Sequence, residues 1–238
     1  MAPSLAAAPG VWILFSAAWN PAAGPLTARD RARADRLTGP ARRTAHLAGR
    51  SALRALLTER FPEAAAADIA YGPTGRPHLP DRPRLGVSVS HSGTAVAVCA
   101  AYDREVGIDV QQPPREIADP LLRWCAPRGR GALLALPAQV RAREFAWLWT
   151  VKEALGKAAG PGLAGPAFHA EPAPGATGGT WGRYTWASLR ASSRLPLSCA
   201  YGPIATDAPD HRIATHVPDD RIATHVPDRP NSPKGQPT

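Results

Sequence analysis

Three β-patterned runs follow one another between residues 86 and 110 with little more than turn residues between them. "GVSVSHSG" and "TAVAVCAAY" alternate about a Ser92-Gly93 turn, with valines supplying the inward positions, and "EVGIDV" follows after Asp103-Arg104. Three strands in so short a span, flanked by helical sequence, point to an α+β fold and not to a βαβ series.

The flanks carry the helical pattern. Residues 27–60 have helical composition interrupted at Gly39-Pro40, and Leu47, Leu53, Leu56 and Leu57 form the buried stripe of the second piece, which Pro62 ends. "VWILFSAAW" from Val11 reads as a first core strand; it lacks a basic leader before it and is too short to span a bilayer. After Pro113-Pro114 come helical segments around 116–136, then a helix containing "FAWLWTVKEALGKAAG" that should stop at Gly160-Pro161. Its Phe145, Leu148, Val151 and Leu155 make one apolar stripe, and Trp149, Glu153 and Lys157 fall together on the opposite face. Residues 161–180 read as a loop, and "TWGRYTWASLRAS" and "LPLSCAYGP" as a closing pair of strands.

These marks divide the chain into an N-terminal half (1–112), a C-terminal half (113–203) and a tail (204–238). In the tail "RIATHVPDD" is followed by "RIATHVPDR", a near-duplication whose polarity and prolines predict disorder.

A net charge of +9 over 238 residues favours a partner that carries phosphates or an acidic protein surface. From Arg29 to Arg60 nine arginines face three acids. Charge alone allows a solvated arginine-rich face or a nucleic-acid-binding module, but no finger spacing or aromatic RNA-binding signature accompanies it. Three widely spaced cysteines, Cys99, Cys125 and Cys199, argue against a disulfide framework or a zinc site and for a reducing cytoplasm. No run of eighteen apolar residues occurs, so a soluble chain without a membrane partner is expected.

Taken singly, the charged candidates have plain readings. Asp109 can cap a turn, Glu153 and Lys157 can be an ordinary surface pair, and His91 can be a turn histidine. Together they read differently. Hard cations such as Mg²⁺ take carboxylate oxygens completed by waters and substrate phosphates, so Asp109 from one half and Glu153 from the other can hold one ion if the halves face each other. Lys152, Lys157, His91 and the arginine-rich helix would then surround a phosphate-bearing ligand.

"VSVSHSG", "VGIDVQ" and "WTVKEALGK", in that order, resemble the three motifs of the 4′-phosphopantetheinyl transferases, in the larger pseudo-dimeric class serving peptide and polyketide synthetases. "GRPHLP" (75–80) is similar to the family's Gly-Lys/Arg-Pro element, and the likeness runs from about residue 10 to residue 200. The resemblance implies two similar α+β halves related by a pseudo-twofold axis, with coenzyme A and Mg²⁺ (or Mn²⁺) in the cleft between them. It makes Asp109 and Glu153 metal-binding carboxylates and Lys157 a pyrophosphate contact. It sets His91 and Ser90 at coenzyme phosphates, Arg76 at the adenosine 3′-phosphate, and Arg33 at a basic coenzyme-binding position. By the same token the Trp149, Glu153 and Lys157 face looks into the cleft.

The sequence departs from the pattern twice. Relatives commonly carry an acid where this chain has Gln111, which shares a strand side with Asp109 and can still offer an amide oxygen to the metal or to its water. Relatives also often show a glutamate in the middle helix, and "WCAPRGRGALLAL" has no acid. The implied activity is transfer of phosphopantetheine from coenzyme A to a serine of an apo acyl or peptidyl carrier protein, by a monomer, with Glu153, Lys157 and His91 as catalytic groups. A degraded homologue that binds without transferring is the alternative that Gln111 raises.

Overall fold

The computed structural model describes residues 3–204, so the near-duplicated tail lies outside the described residues. In chain order the elements are β1 (Leu5–Ala8), β2 (Val11–Ser16), α1 (Ala28–Asp35), α2 (Pro40–Arg60), β3 (Ala70–Tyr71) and β4 (Pro77–His78). There follow β5 (Leu85–Ser92), β6 (Ala95–Tyr102), β7 (Arg104–Val110), α3 (Asp119–Cys125), α4 (Arg130–Leu134), α5 (Ala138–Ala159), β8 (Gly178–Trp181), β9 (Tyr184–Ser188) and β10 (Leu197–Pro203).

Local chemistry sets the boundaries. Thr27 and Asp30 form a reciprocal capping box at the start of α1, and Pro40 opens α2 immediately after Gly39 at φ 86°. Gly160 stops α5 at φ 105°, a conformation costly for any residue with a Cβ.

The strands form two antiparallel four-stranded sheets, ordered β1-β2-β6-β5 and β7-β10-β9-β8, with β3 and β4 pairing separately. The fold is α+β, as expected. One sequence reading needs correction. "TWGRYTWASLRAS" is not one strand but the β8–β9 hairpin, turned at Gly182 (φ 54°). The third strand, β7, pairs with β10, so the chain changes sheet at Asp103, a left-handed residue (φ 55°) held by Arg84.

Each sheet carries a long helix. Leu53, Leu56 and Leu57 of α2 pack on Leu14, Val87 and Val98, all buried, while Val151, Ala154 and Leu155 of α5 pack with Tyr184, Trp186 and Ala200. Between them a third cluster joins Ile13, Ala97 and Cys99 of the first sheet to Ile108, Val110, Leu197 and Cys199 of the second. The two sheets meet where β5 runs beside β7. There the Ser88, Ser90 and Ser92 hydroxyls accept hydrogen bonds from the backbone N–H groups of Ile108, Val110 and Gln112, at 3.2, 3.3 and 3.0 Å. Serine at every second position thus supplies side-chain acceptors to three backbone donors. Close approach on the other side of β7 needs Gly107: a Cβ there would lie 2.0 Å from the Ala154 carbonyl oxygen of α5. Among the described residues no helix is long and apolar enough to cross a membrane.

Candidate active site

The seam between the sheets and α5 gathers the charged residues. With Ile108 and Val110 turned into the inter-sheet core, alternation sends Asp109 the other way. It is 5% exposed, and its Oδ1 accepts from Ser90 Oγ at 2.7 Å and from Lys157 Nζ at 2.6 Å. Lys157 also donates to the Ile108 carbonyl at 3.1 Å, so the ammonium is held on β7. Its other carboxylate oxygen, Oδ2, is buried and has no partner.

One helical turn before Lys157 stands Glu153. Burial raises its carboxyl above the ordinary range, Lys157 opposes that shift, and the nearby Asp109 charge adds to it. A buried glutamate whose ionisation the neighbouring Asp109 charge opposes, beside an aspartate with an orphaned buried oxygen, makes a pair short of positive charge even with Lys157 present. They fit a hard divalent cation. Among the described residues no three His, Cys, Asp or Glu side chains cluster. Further donors would therefore have to come from waters, ligand phosphates or Gln111. Gln111 borders a small pocket of about 240 Å³ with Pro114, Leu121, Phe145 and Trp149.

Two cavities extend from this cluster. One, of about 240 Å³, is lined by Glu153, Lys157, Arg76, Ser88 and Val89. A larger one, of about 870 Å³, is lined by Arg33, Arg42, His46, Arg50, Tyr71 and His91, and shares Gly75, Pro77 and Val89 with the first. The common walls make one path from the carboxylates to the arginines of α1 and α2.

Of the residues expected at this site, Asp109, Glu153, Lys157, Arg76, His91 and Arg33 all line this path or its carboxylate end. Two others have their polar atoms engaged within the protein. Ser90 lies on the β7 side of β5, opposite His91, and its hydroxyl is committed to Asp109 and to the Val110 N–H. In this structure it orients the carboxylate. Lys152 is 2% exposed; its Nζ donates to the Phe168 carbonyl at 2.7 Å and lies over the Phe168 ring. One residue along a helix is a rotation of about 100°, which takes Lys152 off the face of Glu153. Trp149 packs beside Phe145 and Phe168, at ring separations of 6.3 and 6.0 Å, at the edge of the Gln111 pocket.

Arg50, His46 and Tyr71 were missed. The signal was available: Arg50 and Arg54 stand three residues before Leu53 and Leu57, on the buried stripe of α2, where a charged side chain needs a reason.

Residues 105–200 match the family model of the 4′-phosphopantetheinyl transferase superfamily. The protein slr0495 of Synechocystis sp. is 33% identical over 147 residues, covering 59% of each chain. The 4′-phosphopantetheinyl transferase HetI of Nostoc sp. is 34% identical over 149 residues, 60% of this chain and 62% of its own. The 4′-phosphopantetheinyl transferase Sfp of Bacillus subtilis is 32% identical over 92 residues, 39% of this chain and 41% of its own. The chain thus spans about three fifths of the length of the first two relatives.

Proposed function

We propose, from the premise that this chain belongs through residues 105–200 to the 4′-phosphopantetheinyl transferase superfamily, that it loads carrier proteins. The reaction moves the 4′-phosphopantetheine arm of coenzyme A to a serine of an apo acyl or peptidyl carrier protein and releases adenosine 3′,5′-bisphosphate. One observation carries this reading: Glu153 and Lys157, the latter bonded to Asp109, line a cavity that shares Gly75, Pro77 and Val89 with the larger cavity walled by Arg33 and His91.

In the proposed reaction the carrier serine Oγ attacks the pantetheine-side phosphorus of the pyrophosphate. The bond from that phosphorus to the oxygen bridging it to the adenosine 5′-phosphate breaks, and the electron pair leaves with the bisphosphate. Glu153, its proton affinity already raised by burial, accepts the serine proton. Lys157 and Arg76 set fixed positive charge beside the pyrophosphate, and His91 and Arg33 bind the rest of the coenzyme. Ser90 holds Asp109 in place. Asp109 and Glu153 would hold Mg²⁺, with Mn²⁺ as a substitute and Gln111 as a neutral neighbour in place of a third acid; the ion would offset negative charge on the pyrophosphate. We assign the α2-bearing and α5-bearing parts to two halves related by a pseudo-twofold axis, divided near residue 103, where the chain passes from the first sheet to the second, in a monomer acting in the cytoplasm.

The test is direct. Purified protein with coenzyme A, Mg²⁺ and an apo carrier protein should give a carrier mass gain equal to one phosphopantetheine. Coenzyme binding without any gain across fatty-acid, polyketide and peptide carriers would instead identify a binding homologue that has lost transfer.

A further inference from the structure

Strand β5 borders three cavities in turn. His91 and Val89 line the larger arginine-walled one, and Val89 and Ser88 the small one that holds Glu153. Leu85, Gly86 and Val87, at the other end of the strand, line a third of about 730 Å³ that the proposed reaction does not use. Here the two sheets approach closely, since a Cβ at Gly86 would lie 2.1 Å from the Arg104 carbonyl oxygen. Arg76, Pro77 and Gly160 stand on the boundary with the small cavity.

The walls of this third cavity are aliphatic. Leu79, Leu85 and Val87 are buried, and Ala159 and Ile204 extend the same surface. Five prolines also line it, and a proline has no backbone N–H to offer an anion. Among the described residues no Phe, Tyr or Trp does so, and nothing of that kind stacks a base or an aryl ring there. The charges left over are of one sign. The one acid, Glu105, is engaged: its Oε2 accepts from Arg183 Nη2 at 2.7 Å and from the Tyr184 hydroxyl. Arg82 donates to the Asp81 and Glu63 carbonyls at 2.8 and 3.4 Å, and Arg104 lies over the Tyr201 ring, 5.4 Å from its centroid. Neither has a carboxylate partner among the described residues.

We infer that this cavity is a binding site for an aliphatic carboxylate, with its chain against Leu79, Leu85 and Ile204 and its head on Arg82 and Arg104. The volume falls within the range of small-molecule sites, about 300–1,000 Å³. An aliphatic chain suits walls that hold no ring platform, and a carboxylate supplies the countercharge that the two guanidinium groups lack. Arg76 belongs to the coenzyme path in the proposed reaction, and the inferred site does not draw on it.

Calorimetric titration of the full chain with hexanoate, octanoate and decanoate below micelle formation tests this, with 1-octanol as the uncharged match of octanoate. Affinity should rise at least about twofold per added methylene. Octanoate should bind at least about 10-fold more tightly than octanol, the range of a charge-assisted contact. Arg82→Gln and Arg104→Gln together, at positions outside the core, should bring the two ligands to near equality with the unfolding midpoint unchanged. Ala159→Leu, which fills the cavity from its half-buried wall, should weaken both ligands by at least about fivefold. Coenzyme A at saturation should not displace octanoate. Equal binding of octanoate and octanol by the wild type, an unchanged preference in the double variant, unaltered affinity in Ala159→Leu, or displacement by coenzyme A would overturn the inference. Carrier loading without octanoate binding would sink the inference and leave the transferase reading. Octanoate binding without loading would do the reverse.

Discussion

The two ends of the cleft are incomplete in opposite senses. At the seam, Asp109 and Glu153 face the single ammonium of Lys157, and a buried carboxylate oxygen has nothing to bind. At α2, Arg50 and Arg54 face the single carboxylate of Asp30, and buried guanidinium N–H groups have nothing to bind. A protein that needed only stability would have paired these surpluses within itself or replaced them with apolar groups. Keeping them apart along one cavity path makes sense for a ligand that brings a cation to one end and a phosphate to the other. The lesson is that unfilled polar atoms, read with their sign, describe the missing ligand.

That contrast can be broken at its pairing partners. The largest expected effect is on stability at the arginine end. Asp30→Asn would leave both Arg50 and Arg54 without a countercharge and should cost about 3–5 kcal/mol in chemical unfolding. A loss well under about 1 kcal/mol would mean that the buried charges do not depend on Asp30.

A smaller effect separates Lys152 from the cleft. Lys152→Met leaves the Phe168 carbonyl unpartnered and should cost about 1–3 kcal/mol at most, with removal of a buried charge offsetting part of it. The KM for coenzyme A should stay within about twofold of the wild type. A large rise in that KM would return Lys152 to the phosphate-binding set.

The smallest is a pH slope. Burial first, then the charges of Arg50 and Arg33, push the His46 imidazole down from 6.5 to about 4. The unfolded chain therefore takes up this proton before the folded chain does. The contribution of neutral His46 is full above 6.5 and is lost as pH falls toward 4. His46→Gln should flatten that part of the stability profile, read from unfolding midpoints between those values; an unchanged slope would show that His46 is already free to charge in the folded chain.

How much of this was legible in the sequence follows from period and distance. The β5–β6 hairpin and α5 announce themselves because their apolar spacing is local, and Asp109, Glu153 and Lys157 are singled out because each breaks such a spacing with a charge. Position along a strand or helix then decides which neighbours a side chain meets, and the pattern alone did not tell Ser90 and Lys152 from theirs. Each sits one residue from a residue that borders a cavity, His91 or Glu153, and bonds within the protein instead. The passage of β7 into the second sheet was hidden, because its partner β10 lies far along the chain. Arg50 was hidden by its company: among nine arginines in one segment, only burial distinguishes the one that lacks a partner.

The central claim is that Asp109 and Glu153 share one divalent ion, and Mn²⁺ binding to the full chain tests it most directly. With coenzyme A present throughout, the free-ion paramagnetic resonance signal is followed against coenzyme A alone. The account predicts one protein-dependent ion per chain, with affinity at least about 10-fold weaker in both Asp109→Asn and Glu153→Gln. Wild-type ion affinity in either variant would contradict it.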